Sequence, residues 1–155
     1  MRALGYFLKT GIFLCLFFCF SPAVVRGQMN KLIVIDPLVA EESEGIISRN
    51  SDAKVYFLPD KGNPLQLIAA EMKKDAYDEV HLYLLTKPGS IIFDEMNIIP
   101  DNVRDYSADF SDWKDNLQPD AVITIHSSEL TSVPEGLVLV NSISAFTGRK
   151  VLAEL

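Results

Sequence analysis

The sequence predicts an α/β fold, a three-layer sandwich whose mostly parallel central sheet of about four to six strands lies between helices. Short β-branched runs alternate along the chain with stretches of helical periodicity. The central run, Val80 to Thr86, is apolar without alternation, which is typical of a strand covered on both faces. Turn and capping residues separate the runs, so we expect right-handed crossovers between parallel strands.

The first 27 residues have the pattern of a secretory signal peptide, which leaves residues 28–155 as a single domain. Arg2 and Lys9 precede the apolar run GIFLCLFFCF, and a small-residue stretch allows cleavage after Gly27 or Ala23. The apolar run is short for a membrane span, and an uncleaved N-terminal anchor is the alternative. We therefore expect an exported protein, periplasmic or extracellular, without a transmembrane segment after cleavage.

The charge balance argues against two classes of partner. The chain has 14 basic and 21 acidic residues, and removing residues 1–27 takes away three basic residues, which leaves a net charge of −10. Such a domain is poorly suited to nucleic acid or to an anionic membrane surface. Both cysteines, Cys15 and Cys19, lie in the signal, so the remaining domain has no thiol for a disulfide, a metal site or catalysis.

The first half of the domain has two predicted strands, each followed by a predicted helix. Residues 31–36 (KLIVID) and 54–58 (KVYFL) are the strands. A first helix is predicted over residues 38–49, weakened by Gly45. A second is predicted over residues 64–74, with Asn63 as its N-cap and Lys73 and Lys74 in its last turn.

The second half begins with the central strand and a hairpin that turns at Lys87-Pro88-Gly89, followed by a loop over residues 97–101. The spacing of apolar residues then predicts a helix over residues 103–117 and a strand over 120–125. Ser132 to Glu135 has capping-box spacing, which predicts a helix through Phe146 that Gly148 ends. Residues 150–155 are predicted as the start of a last strand.

The order of these segments resembles a bacterial domain of unknown function with a caspase-like fold, found at the N-termini of large exported adhesins. The resemblance covers residues 31–155 and depends on the segments EVHLYLLTKPGSI, PDAVITIHSS and EGLVLVNSISAFTGRKV, together with His81, Gly89 and Trp113. It implies the strand order 2-1-3-4 in the core of the sheet.

The same resemblance implies that this chain is a degenerate member. The family's Ser-His-Gly falls on Leu84-Leu85-Thr86, and its Tyr-Gly-Cys-Asn falls on residues 124–127, to within one position. The catalytic histidine and cysteine positions are therefore Leu85 and His126. Leucine cannot act as a base, and the domain contains no cysteine nucleophile.

Candidate functional residues are expected beyond the carboxyl ends of the strands, where open α/β sheets place their sites. His126, Ser127 and Ser128 are the weak catalytic candidates, since a histidine beside two hydroxyls offers a base and a nucleophile. Ordinary loop chemistry at a strand end is the alternative. The candidates for lining a ligand crevice are Asp36, Thr86, Lys87, Gly89 and His126.

The remaining polar residues favour structural roles. His81 lies mid-strand and is interpreted as a partly buried structural histidine, which meets His126 only if their strands are neighbours. Asp105, Asp109 and Asp112 are interpreted as a solvated helix face, because they lack the spacing of a calcium loop. No cofactor and no metal site is predicted.

The sequence thus predicts an exported, non-catalytic domain that is a binding or accessory module at the cell envelope or cell surface, with an envelope or cell-surface protein as its expected partner. The alternative is a hydrolase that uses His126 with Ser127 or Ser128. A third hypothesis is a purely structural relative of adhesin N-terminal domains. The oligomeric state is open, although an unpaired edge at residues 150–155 would permit a dimer.

Overall fold

The computed structural model describes residues 29–154. These residues fold around one five-stranded parallel sheet, whose strands in spatial order are β2 (Lys54–Phe57), β1 (Lys31–Ile35), β3 (Glu79–Tyr83), β7 (Val122–His126) and β8 (Lys150–Glu154). The predicted α/β class and the order of the first four core strands are confirmed. The helices are α1 (Ser43–Arg49), α2 (Pro64–Met72), α3 (Ser107–Asn116) and α4 (Pro134–Thr147).

The central strand is shorter than predicted. The chain leaves the parallel sheet at Leu84 and forms a separate antiparallel sheet from β4 (Leu85–Lys87), β5 (Ser90–Phe93) and β6 (Met96–Ile98). The predicted hairpin is β4 and β5, with Gly89 at φ 72° in its turn. Strand β6 lies where a loop was expected, because its three residues are too few to show strand periodicity.

The predicted helix over residues 38–49 is divided in two. A 3₁₀ helix, Pro37–Glu42, follows β1, and α1 then covers only Ser43–Arg49. Asp36 caps the 3₁₀ helix, since its side chain accepts a hydrogen bond from the amide of Leu38. The α2 prediction is confirmed at its start, where Asn63 caps the helix, but α2 ends at Met72, before the two lysines.

The two last helices also differ in their first turns. Residues 103–106 are a 3₁₀ helix that precedes α3. The predicted capping box of α4 is wrong, because the hydroxyl of Ser132 donates to the carbonyl of Glu129 and Val133 occupies the N-cap. Gly148 ends α4 in the left-handed conformation, as predicted.

Helices cover both faces of the sheet unequally. Helices α2, α3 and α4 pack on the face of Leu32, Val80 and Ile123, and this side contains the main core. On the opposite face, the buried cluster consists of Ile33, Ile35 and Ile46 of α1. Strand β3 therefore buries only alternate residues fully, contrary to the expectation of a strand covered on both faces. Among the helices of residues 29–154, none has the length and apolar character needed to cross a bilayer.

Candidate binding crevice and histidine pair

A crevice of about 740 Å³ opens at the carboxyl ends of β1 and β2. Three segments meet there: Asp36 to Leu38 after β1, Leu58 to Pro64 between β2 and α2, and Phe93 to Met96 in the turn between β5 and β6. Tyr106 completes the lining. This is the edge of a parallel sheet at which binding sites occur, and its size suits a small ligand or a short segment of a protein.

Asp36 is the buried polar residue of this crevice, with only 4% of its surface exposed. One carboxylate oxygen accepts from the amide of Leu38 at 2.8 Å. Burial raises the pKa of Asp36; the Leu38 amide opposes this effect, and the nearby charge of Asp94 adds to it. The crevice therefore contains a carboxyl group that would gain from a cationic or hydrogen-donating partner.

Asp36 is the only one of the five crevice candidates that lines this cavity. Thr86 belongs to β4, and Lys87 is exposed at the end of the same strand. The amide of Gly89 donates to the carbonyl of Leu130, which ties the hairpin turn to the segment before α4. The side chain of His126 lies on the sheet face of Ile33 and Ile35, where its ring stacks on Tyr83.

The hydroxyl of Ser127 is fully used in local structure. Its Oγ accepts from the amides of Glu129 and Leu130 at 3.1 and 2.9 Å and lies 2.6 Å from Oγ1 of Thr86. The two amides occupy both lone pairs, so the Ser127 proton must point at Thr86. A serine held in this way lacks both an adjacent base and a free lone pair for attack.

Replacing Ser127 with alanine should therefore lower stability, because two backbone amides lose their acceptor. We expect a loss of about 1 to 2 kcal/mol in the free energy of unfolding, measured by urea denaturation. The neighbouring Ser128 is exposed and provides the matched control. Ser128→Ala should change stability by less than about 0.5 kcal/mol. Equal effects of the two substitutions would contradict the structural role of Ser127.

His81 and His126 form a direct pair, because β3 and β7 are neighbours in the sheet. Nδ1 of His81 lies 2.8 Å from Nε2 of His126, and Nε2 of His81 lies 3.2 Å from a carboxylate oxygen of Glu79. Lys31 reaches the same carboxylate oxygen at 3.3 Å. The ring of Tyr83 stacks on His126 with centroids 4.1 Å apart. These residues form a connected polar row on the half-buried face of the sheet.

The row accommodates at most one proton beyond the neutral state of its two imidazoles. If both rings were charged, two N–H groups would face each other at 2.8 Å. Burial, followed by the charges of His81, Arg49 and Lys31, lowers the pKa of His126 to about 4. Burial acts to raise the pKa of Glu79, but hydrogen bonds from His81 and Lys31 outweigh it and hold that pKa low.

The geometry separates His126 from the hydroxyls that were its suggested catalytic partners. Its Nε2 faces His81, and the Ser127 hydroxyl faces Thr86 and two amides.

Within residues 29–154, no group of three or more histidine, cysteine, aspartate or glutamate side chains is arranged to hold a metal ion. Asp105 and Asp112 are exposed on the α3 side, whereas Asp109 accepts hydrogen bonds from Asn63 and Gln66.

Sequence reasoning missed most of the crevice lining. Asp60, Asp94 and Glu95 lie on its wall, with Leu58 and Tyr106. Asp60 could have been found, because it follows β2 and the carboxyl ends of neighbouring parallel strands share one edge. Asp94 and Glu95 could not, since their position depends on the second sheet, and β6 left no signal in the sequence.

Comparison with curated proteins and with solved structures finds no significant match. Residues 32–155 match the family described as "Domain of unknown function (DUF4347)". The matched region starts in β1 and contains the crevice and the histidine pair. The chain therefore belongs to this family.

Proposed function

We propose that this chain is an exported, non-catalytic domain of caspase-like architecture that binds a protein partner at the cell envelope or cell surface. The crevice at the carboxyl ends of β1 and β2 is the observation that carries the proposal, because it is a formed cavity with a buried carboxyl group. The order of the first four parallel strands supports the architecture, since the resemblance implies the same order.

The absence of catalysis is supported by the residues at the two positions where the resemblance implies a catalytic histidine and a catalytic cysteine. Leu85, in β4, stands at the histidine position, and the cysteine position falls on His126 to within one residue. His126 faces His81, and the neighbouring Ser127 supports two amides. None of these groups pairs a base with a free nucleophile.

A hydrolysis assay tests this part of the proposal directly. We expect no turnover of a broad peptide and ester panel by the protein, and the same result for His126→Ala and Ser127→Ala. Turnover that disappears in the His126→Ala protein would establish the hydrolase alternative and overturn the non-catalytic proposal. The panel should be run at neutral pH, where a histidine with a lowered pKa is a neutral base.

Binding at the crevice is tested by site-specific photo-crosslinking in the native envelope. A photoreactive amino acid in place of Glu95 lies on the crevice wall, whereas one in place of the exposed Asp120 lies before the amino end of β7. We expect a discrete crosslinked product from position 95 and none from position 120. No product from position 95, or the same products from both positions, would contradict a crevice binding site.

Export is tested by the N-terminus of the protein produced from the full sequence. Mass spectrometry of protein recovered outside the cytoplasm should show a chain that begins at residue 28 or 24, according to cleavage after Gly27 or Ala23. A chain that retains residues 1–27 in the membrane fraction would establish the anchored alternative. Retention in the cytoplasm would overturn the proposed location.

A further inference from the structure

We propose that the crevice selects a guanidinium or ammonium group on an apolar stem, the arginine or lysine side chain of a partner protein, with Asp36 receiving its charged head. This inference rests on the proposed function and adds the chemistry of the ligand. It is carried by the charges on the crevice wall, by the open oxygen of Asp36 and by the apolar lining beside it.

The charged residues of the lining are mostly acidic. Lys61 is the one cationic residue among the lining residues, which include four carboxylates: Asp36, Asp60, Asp94 and Glu95. A cleft lined by one sign of charge focuses its field and attracts ligands of the opposite sign. The wall of the crevice therefore favours a cation over an anion.

Asp36 gives this preference a specific acceptor. One of its oxygens is bonded to the Leu38 amide, and the other has no hydrogen-bond partner among residues 29–154. Although the residue as a whole is almost fully buried, this second oxygen is not among the buried unpartnered atoms, so it is accessible from the crevice and available to a ligand. A guanidinium or ammonium group would supply a charge-assisted hydrogen bond to that oxygen.

The other walls suit the methylene stem of a basic side chain. Leu58 and Phe93 are buried in the crevice wall, Leu38 is half exposed, and Met96 and Tyr106 are partly buried. Arginine and lysine place their stems along apolar surface while their charged heads reach polar groups. The combination of an apolar wall with one buried carboxyl group fits this type of side chain.

The start of α2 faces the crevice and, by its dipole alone, would favour an anion. The first-turn amides that an anion would use are already hydrogen-bonded, because Oδ1 of Asn63 accepts from the amides of Leu65 and Gln66. Asp109 accepts from the side chains of Asn63 and Gln66, which adds a negative charge beside this helix end. An anion would find no free amide donors in this first turn.

The test uses protein from the full sequence and a library of displayed random peptides. We expect the selected peptides to be enriched in arginine or lysine. The leading arginine peptide is then compared with the same peptide containing citrulline, which keeps the shape of the side chain and removes its charge. We expect the citrulline peptide to bind at least about tenfold more weakly, since it lacks the charge-assisted bond.

Two variants locate the effect. Asp36→Asn keeps an oxygen for the Leu38 amide and should weaken the arginine peptide about tenfold while leaving the citrulline peptide unchanged. Asp94→Asn removes a second wall charge at a position with φ 35°, which asparagine adopts readily, and should weaken binding about threefold. Asp120→Asn is the control, since Asp120 is exposed at the amino end of β7, and it should bind both peptides as the unaltered protein does.

Each contrary outcome is distinct. Two outcomes would overturn the cation proposal and leave the proposed function standing. In one, the peptides that crosslink from position 95 lack basic residues. In the other, these peptides bind the Asp36→Asn protein as tightly as the unaltered protein. If no selected peptide crosslinks from position 95, the cation proposal falls, and the native-envelope crosslinking alone then decides whether the crevice is a binding site. Free N-acetylarginine amide is the last comparison. If it binds as tightly as the peptides, the ligand is a small cation, and the partner-protein part of the proposal is overturned.

Discussion

Replacing Gly136 with alanine is expected to destabilise the domain by about 3 kcal/mol or more, because among the glycines of residues 29–154 it has the least room for a methyl group. A Cβ at this position would lie 1.7 Å from the carbonyl oxygen of Leu130. That oxygen also accepts from the amide of Gly89. The methyl group would therefore push apart the first turn of α4, the 3₁₀ helix at Leu130–Ser132 and the hairpin turn between β4 and β5.

Gly45→Ala is the matched control for this substitution. Gly45 also lies in a helix, but a Cβ there would meet only a terminal nitrogen of Arg49, at 3.9 Å. The alanine variant should be more stable by about 0.5 to 1 kcal/mol, because alanine favours the helix and restricts the unfolded chain. Urea denaturation of both variants measures the difference. A Gly136→Ala protein as stable as the unaltered one would refute the close packing of Leu130 against α4.

The sequence correctly predicted the helix ends and the hairpin turn that depend on one or two adjacent residues. Asn63 followed by Pro64 marks the start of α2, Gly89 marks the hairpin turn, and Gly148 ends α4. Each depends on backbone geometry that one or two residues decide. The capping-box prediction at Ser132 failed because the carbonyl of Glu129 is a competing acceptor for the hydroxyl, and only the folded chain shows that competition.

Features that depend on distant residues could be predicted only in part. The pair of His81 and His126 joins residues 45 positions apart, and it forms because β3 and β7 are neighbours, an order that the resemblance implied and periodicity alone did not give. Asp36 was placed at the crevice because the end of β1 is a local feature. The opposite wall comes from the turn after β5, which packs there only once the chain has left the main sheet at Leu84.

The histidine pair has a measurable consequence for stability in mild acid. His126 has a pKa of about 4 in the folded protein, against an ordinary value of 6.5. Between these values the unfolded chain binds the proton and the folded protein does not. The contribution of His126 to the free energy of unfolding is therefore fully present above pH 6.5. It decreases as the pH is lowered and is lost below pH 4. The difference corresponds to about 2 to 3 kcal/mol after allowance for the partial exposure of the ring.

The charged and titratable groups around His126 set the direction of this effect. His81, Glu79 and Tyr83 lie on β3, Lys31 on β1 and Arg49 on α1, and the three basic groups oppose a further positive charge on His126. Glu79 also has a lowered pKa, so its protonation removes stability in the same direction at lower pH. The buried Asp36 acts in the opposite sense, because its raised pKa favours the protonated form in the folded state.

A His126→Gln variant isolates the histidine from these carboxyl groups. Glutamine can still donate a hydrogen bond to Nδ1 of His81, but it does not titrate. We expect urea denaturation from pH 7 to pH 4 to show a loss smaller by about 2 to 3 kcal/mol in the variant than in the unaltered protein. Parallel losses in the two proteins would mean that His126 takes up its proton as easily in the folded state as in the unfolded one. A smaller loss in the variant would identify His126 as the acid-sensitive group on this face of β3 and β7.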